Sequence, residues 1–402
     1  MKVSRRKFFL NATAATGGMI LYGVHGNQGA SVAVPDLIKI ETPFHGAVLN
    51  VRHGKKVEGG LKIEVQGEAP LNGTVTVNGI QARREKTKFI ADVILRDTET
   101  EITATSDGWF GNNIHTIKVV WDKNSFPRYG FEIDDNIFFF RDIAKEKYRS
   151  LFDCFYLKGL RKLHQKYGTK FLLNIYFSDG QEYTKSPEFT LEQFPDRYKS
   201  EWKDNADWLK LTFHAWSNLP VRPYQDAPVQ KLISDLEKVS EQIIRFAGEQ
   251  TYTPPTIVHW GMMPPQAYKA MSEKKVKVLR GYFIQRENGQ WDVNHNMDAV
   301  RSEYISRHHL LKEFDSGIVF SKVHLVCNST PVEKIVPTLQ PLLLHPQGAE
   351  ILDLMTHEQY FWPFYANYLP DHFDRLDKAM GWATEQGYKP VFWNDGFLGA
   401  PA

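Results

Sequence analysis

Cysteine is scarce in this chain: 402 residues include two, Cys154 and Cys327. That excludes a disulfide-stapled scaffold and leaves either one bridge or a pair of buried thiols. No block of Lys and Arg occurs beyond the N-terminus, which argues against a nucleic-acid or anionic-membrane surface. A run of about 20 strongly apolar residues, the length a membrane helix needs, is also missing. The nearest approach lies near the N-terminus and is interrupted by Asn11, Thr13, Thr16, Gly17 and Gly18. No stable membrane span is therefore expected once that segment is removed. Nor is the chain strongly charged. Its formal net charge is +2, and residues 1–33 hold Lys2, Arg5, Arg6 and Lys7 with no acid, so the remainder stands near −2.

What is present begins with Ser4-Arg5-Arg6-Lys7-Phe8-Phe9-Leu10 followed by small and apolar residues. A basic segment, a modest apolar stretch and a small-residue exit make up an export signal. The paired arginines before Phe9 and Leu10 match the twin-arginine (Tat) variety, and Ser31-Val32-Ala33 fits a cleavage site. Residues 1–33 are accordingly expected to be a signal peptide, with the mature protein periplasmic or secreted. Aromatic residues reach 13%; exposed rings suit sugar faces, although core packing accounts for most.

Residues 36–121 consist of short alternating runs such as Leu61-Lys-Ile-Glu-Val, Val75-Thr-Val and His115-Thr-Ile-Lys-Val-Val-Trp121. Period-two alternation marks half-buried strands, and Asn72-Gly73 and Asn78-Gly79 are hairpin-closing pairs. The spacing predicts an all-β immunoglobulin-like sandwich with no catalytic feature. Asp122 to Arg128, with Pro127, reads as a linker. From 128 to 398 the pattern changes to strand-like runs (Tyr129–Ile133, Phe171–Phe177, Leu211–Phe213, Thr256–Val258, Ile351–Met355, Pro390–Trp393). They alternate with helical segments at 151–167, 228–247, 331–344 and 370–386. Repeated strand–helix units imply a parallel sheet long enough to close into a (β/α) barrel, whose chemistry would sit where strands end.

Polar residues do follow those strands. The first ends in Glu132-Ile133-Asp134-Asp135-Asn136. Adjacent carboxylates raise each other's pKa, and a bound cation would relieve this, one Asp ligating and the other acting as base. A helix cap plus a solvated acid is the plainer account of the same pair. Phe213-His214-Ala215-Trp216-Ser217-Asn218 places an imidazole at a second strand end. Val258-His259-Trp260-Gly261 repeats the arrangement, and a late run ends Thr356-His357-Glu358. His308-His309, His324 and His372 have no comparable position and count as background.

These motifs resemble those of the NodB-type polysaccharide deacetylases, metal-dependent carbohydrate esterases on a distorted (β/α) barrel. Glu132-Ile133-Asp134-Asp135 is similar to that family's opening Thr-Phe-Asp-Asp, His214-Ala215-Trp216-Ser217-Asn218 to its His-Ser/Thr-x-x-His, and His357 to its late Leu-His. The resemblance covers residues 128–398. It implies Asp134 as general base, His357 as general acid, and a divalent metal, Zn²⁺ in the first place, on Asp135 and His214. Three positions depart from the pattern. Asn218 replaces the second metal histidine, Ala215 replaces Ser/Thr, and the arginine-bearing third motif is absent. Either His259 completes the metal site from a neighbouring strand, with Asn218 as the weaker alternative ligand, or the metal is bound weakly or not at all; the set His-Asp-His, usual for Zn²⁺ with an open position, favours the first. The implied fold is a multidomain chain, an immunoglobulin-like sandwich followed by a deacetylase-type barrel.

The function this implies is removal of acetyl groups from a polysaccharide or oligosaccharide by metal-activated water. Trp216, Trp260, Tyr360 and Trp362 are candidates for a sugar-binding rim, and packing at the barrel mouth is their plain alternative. Residues 179–226, with Asp179, Tyr183, Trp202, Trp208, Arg222 and Tyr224, are expected to build the substrate pocket. Two rivals remain at this point: another carbohydrate-active enzyme on the same barrel, such as a glycosidase using Glu132, Asp134 or Glu358 as paired acids, which needs no metal, and a non-catalytic polysaccharide-binding protein.

Overall fold

The structure, a computed structural model, describes residues 37–108, 111–180, 187–395 and 398. The expected signal segment, 1–33, lies outside the described residues, as does Tyr183. Among the described residues, no helix is long and apolar enough to cross a membrane.

The first domain holds β1 (Lys39–Thr42), β2 (Val48–Leu49), β3 (Lys55–Val57), β4 (Gly60–Glu68), β5 (Val75–Val77), β6 (Ile80–Gln81), β7 (Arg83–Glu85), β8 (Lys88–Leu95), β9 (Glu99–Gly108) and β10 (Gly111–Trp121). They form two sheets, β1-β4-β8-β7 with β3 beside β4, and β2-β10-β9-β5-β6. Every second residue of β4 and β8 (Leu61, Ile63 and Val65; Phe89, Ala91, Val93 and Leu95) points inward onto Ile102, Ala104, Ile117 and Val119. Burying each such aliphatic side chain stabilises by about 1.5–3 kcal/mol. Asn78 and Gly79 both carry positive φ (46° and 78°) and close the β5–β6 hairpin, the conformation a two-residue primed turn needs.

The linker is not a loose tether. Arg128, fully buried, donates to Asp122 Oδ2 at 2.7 Å. The two domains share a core of Val48 and Val120 with Val278, Leu310, Val319, Ile351, Val391 and Trp393. Polar ties reinforce it: Asn50 Nδ2 donates to Gln347 Oε1 at 3.0 Å and Arg52 Nε to Glu350 Oε1 at 2.6 Å.

The second domain is organised on β11 (Arg128–Asn136), β12 (Phe171–Tyr176), β13 (Leu209–Ala215), β14 (Val278–Gly281), β15 (Ile284–Gln285), β16 (Trp291–Asp292), β17 (Leu310–Lys312), β18 (Val319–Lys322), β19 (Leu325–Val326), β20 (Ile351–His357) and β21 (Lys389–Pro390). The main sheet is parallel, in the order β13-β12-β11-β20-β19, with β21 alongside β11. Helices Phe155–Tyr167, Val229–Ala247 and His372–Glu385 fall where expected. Val229–Ala247 buries Leu232, Leu236, Val239, Ile243 and Phe246 along one face, the stripe its periodicity predicts.

β13 and β19, the ends of the main path, are joined by no ladder among the described residues. No closed barrel forms among the described residues, and isolated backbone hydrogen bonds link the neighbouring segments instead. Leu211 N donates to Thr251 O (2.9 Å), Arg280 N to Thr256 O (2.7 Å) and His324 N to Asp353 O (2.9 Å), threading through the small sheet β14-β18-β17. The strand expected at Thr256–Val258 does not form. Pro254 and Pro255 precede it, and proline removes the amide donors a central strand requires. Pro390–Trp393 likewise pairs only at its start, in β21. Cys154 and Cys327 are both buried and unbridged.

Candidate metal centre

A regular strand points successive side chains to opposite faces, so Asp134 and Asp135 should diverge. They do not, because the β11–β12 register shifts between Ile133 and Asn136 and Asp135 adopts φ 65°. A left-handed residue at a bulge re-aims its side chain, a costly conformation that Asp tolerates better than most. As a result both carboxylates face one imidazole: His214 Nε2 lies 3.1 Å from Asp135 Oδ1 and 4.0 Å from Asp134 Oδ2. The β12–β13 register also shifts, between Tyr176 and Ile175, opposite Phe213 and Ala215, which flank His214. His259 arrives on the single 3-10 turn His259–Gly261, where Trp260 has φ 64°. The converging side chains thus come from breaks in regular structure.

Asp135, His214 and His259 are all buried and converge. Asp135 Oδ1 to His214 Nε2 is 3.1 Å, His214 Nε2 to His259 Nδ1 is 3.2 Å, and His259 Nδ1 to Asp135 Oδ1 is 3.3 Å. Donors about 2.0–2.1 Å from a tetrahedral zinc stand roughly 3.3 Å apart, so the triangle has the size such an ion needs. The supports are equally specific. His259 Nε2–H donates to the carbonyl of Asn218 at 3.1 Å, leaving the Nδ1 lone pair for the centre, and Gln359 Nε2 holds Asp135 Oδ2 at 2.8 Å. Such outer partners orient ligands and set their tautomers. His214 Nδ1 is buried without a hydrogen-bond partner. Asn218 takes a different place from the three donors: its carbonyl orients His259, and its Oδ1 accepts from Tyr176 at 3.3 Å.

Beneath the centre is a buried ionic network. Arg280 pairs with Glu132 at 2.5 Å and donates through Nε to both oxygens of Asp353 at 2.9 and 2.8 Å. Thr256 Oγ1 and Asn174 Nδ2 also donate to Glu132, and Asn174 Nδ2 reaches Asp134 Oδ1 at 2.6 Å. Burial pushes the Asp134 carboxyl up to about 6, against the pull of His214 and Arg280. Burial likewise pushes Asp353 up to about 6. Arg280 thus supplies the one guanidinium that pairs with both Glu132 and Asp353 among the described residues. The sequence hint was a charged residue inside the apolar run Val278-Leu-Arg-Gly.

The other candidates separate. His357 pairs in register with Asp134 across β11 and β20 and its Nδ1 bonds Asn328 Oδ1 at 2.8 Å. Trp216 is 38% exposed and stacks on Phe177. Trp260 is half-buried beneath the guanidinium of Arg222, which also pairs with Asp292 at 2.7 Å. Tyr360 and Trp362 are buried, Trp362 packing edge-on against Phe138 and Phe155. Trp202, Trp208 and Tyr224 are core residues, and Asp179 is buried against Arg141 at 2.9 Å. Four of the expected pocket builders are therefore packed inward. Glu358, one of the rival acids, accepts from the amides of Ile137, Phe138 and Phe139 at 2.7, 2.9 and 2.7 Å. It caps the helix Phe138–Glu146, a favourable place for an anion. Glu132, another rival acid, is committed to Arg280.

Two of the histidines counted as background do belong to a group. His309 Nδ1 bonds His324 Nε2 at 2.9 Å and its ring stacks on His345 with centroids 3.7 Å apart. Burial, with His324, His345, Lys322 and His308 nearby, holds His309 far below the ordinary histidine range. The unfolded chain takes up a proton at this position below about pH 6.5 while the folded chain refuses it. The contribution of His309 is thus full above pH 6.5 and falls away as pH drops. Asp134, Asp353 and Glu358, all raised, act with the opposite sign, so the effect is isolated by difference. The stability lost between pH 7 and pH 5 is expected to be smaller in His309→Gln than in wild type by about 2 kcal/mol. Equal slopes in denaturant titrations would refute it.

A comparison with protein-family models finds none that matches the chain, and a comparison with curated proteins likewise finds no match.

Proposed function

We propose that the chain is a metal-dependent hydrolase that removes acetyl groups from a polysaccharide or oligosaccharide, on a scaffold related to the NodB-type deacetylases. The observation that carries this is the buried triangle of Asp135 Oδ1, His214 Nε2 and His259 Nδ1 beside a second carboxylate, Asp134, that is not a corner of it. A divalent cation held by those three residues, Zn²⁺ in the first place, supplies a Lewis acid and lowers the pKa of water towards about 7.

The chain's own residues account for the proton movements. Asp134, anchored through Oδ1 by Asn174, accepts the proton of the water that attacks the acetyl carbonyl. His357, its neighbour across the strand pair, returns a proton to the departing sugar nitrogen or oxygen. Asn328 orients that ring by accepting from Nδ1–H, which assigns Nε2 to the exchange. Acetate and a deacetylated sugar are the products. Trp216, exposed at the end of β13, offers a face for a sugar ring. Twin-arginine export to the periplasm or beyond belongs to the same proposal, since it delivers a folded protein to where polymeric glycans occur.

Metal analysis of His214→Ala tests the reading. The bound ion is expected to be lost together with acetate release from acetylated glycans, and dialysis of wild type against a chelator is expected to have the same effect. A variant that keeps a full equivalent of metal, or a chelated protein that still turns over, would rule out this centre.

A further inference from the structure

Tyr176 ends β12 next to the three converging side chains and is 1% exposed. Its hydroxyl meets electron pairs from three residues. It bonds Asp135 Oδ1 and lies 3.0 Å from His259 Nδ1, 3.3 Å from His259 Nε2 and 3.3 Å from Asn218 Oδ1. A phenol has a single proton to give. His259 commits its Nε2–H to the carbonyl of Asn218, so Nδ1 offers only a lone pair, and Asp135 Oδ1 is the oxygen that faces both imidazoles. One proton cannot serve that many acceptors. The phenol oxygen is in effect part of the same knot of donors. Its 3.0 Å separation from His259 Nδ1 matches the 3.1, 3.2 and 3.3 Å edges of the Asp–His–His triangle.

We propose that Tyr176 is a fourth donor to the metal centre, which makes the set Asp135, His214, His259 and Tyr176 and closes, in the resting protein, the corner the other three leave open. The inference rests on the metal-centre reading above. On ligation the phenol O–H bond breaks, its proton leaves to the buffer, and the oxygen's electron pair binds the cation. A phenolate is a hard, anionic oxygen, so its presence shifts the preference of the centre from Zn²⁺ towards Fe³⁺. For a four-coordinate ion it also means that Tyr176 must yield its place before water or substrate can enter.

The test compares wild type with Tyr176→Phe, titrated with Zn²⁺ alone by calorimetry in buffers of different ionisation enthalpy, and with Fe³⁺ supplied as its nitrilotriacetate by visible absorption. At about pH 6, below the pKa of about 7 of a metal-bound water, wild type is expected to release about one more proton per Zn²⁺ than Tyr176→Phe and to bind it about 10–100-fold more tightly. With Fe³⁺, wild type is expected to develop a phenolate-to-iron charge-transfer band that Tyr176→Phe lacks. Equal affinity, equal proton release and no band in wild type would overturn the proposal and leave a three-residue centre intact. Wild type that binds neither ion would instead refute the metal centre itself, and this inference with it. The wild-type Fe³⁺ band needs no variant, so that result stands even if Tyr176→Phe folds poorly.

Discussion

Asp134→Asn is expected to lower the rate of acetate release by about 10²–10⁴-fold, the span general-base catalysis commonly contributes, while bound metal stays at the wild-type level. The substitution keeps the shape of the side chain and an oxygen to accept from Asn174, whose Nδ2 now sits 2.6 Å from Asp134 Oδ1. What it removes is the capacity to take a proton. The cation should survive, because the triangle is built from Asp135, His214 and His259, and Asp134 Oδ2 stands further out, 4.0 Å from His214 Nε2. Kinetics and metal content measured on one preparation separate the two roles. Unchanged turnover would mean that another group is the base, and lost metal would mean that Asp134 is itself a ligand.

Arg280→Met is expected to cost roughly 3–5 kcal/mol of folding stability, the usual price of breaking a buried ion pair from one side. Arg280 and Asp353 are fully buried and Glu132 is 2% exposed. Removing the guanidinium leaves both carboxylates without their cation directly beneath Asp134. Their charge can then be relieved only by taking up protons, so the loss should shrink as pH falls. The triple change Arg280→Met, Glu132→Gln, Asp353→Asn should regain much of the loss, since the penalty comes from unpaired charge rather than from absent attraction. Denaturant unfolding at pH 7 decides: a single-variant loss below about 1 kcal/mol would mean the network is solvated and does not support the site.

Both predictions concern residues that differ in how visible they were. Asp134, Asp135, His214, His259 and His357 stood out because each follows an apolar run, and a polar residue in that place must be satisfied or used. Local pattern also placed the helix at Val229–Ala247 and the alternating strands β4 and β8, where side-chain period alone dictates which face is buried. Arg280 and Tyr176 were missed for opposite reasons. Arg280 sits in a four-residue strand too short to show a period. Tyr176 looks, in Phe171–Tyr176, like one more aromatic of a buried strand. Trp202, Trp208 and Tyr224 were misplaced onto a pocket because composition reports that rings are present, not which way they face.

The amino-acid order by itself determined where the longer strands and the helices ending at Tyr167, Ala247 and Glu385 run, and which few polar residues close apolar runs. Those properties follow from periodicity and from the cost of burying unsatisfied polar groups, both local. Only the tertiary structure decided which of these residues meet. Asp135, His214 and His259 are 79 and 45 positions apart along the chain as 135–214 and 214–259, yet their donor atoms lie within 3.3 Å of one another. That meeting depends on two register shifts, a left-handed aspartate and a proline-broken strand. Such departures from regular geometry are held in place by the packed surroundings, not by local propensity.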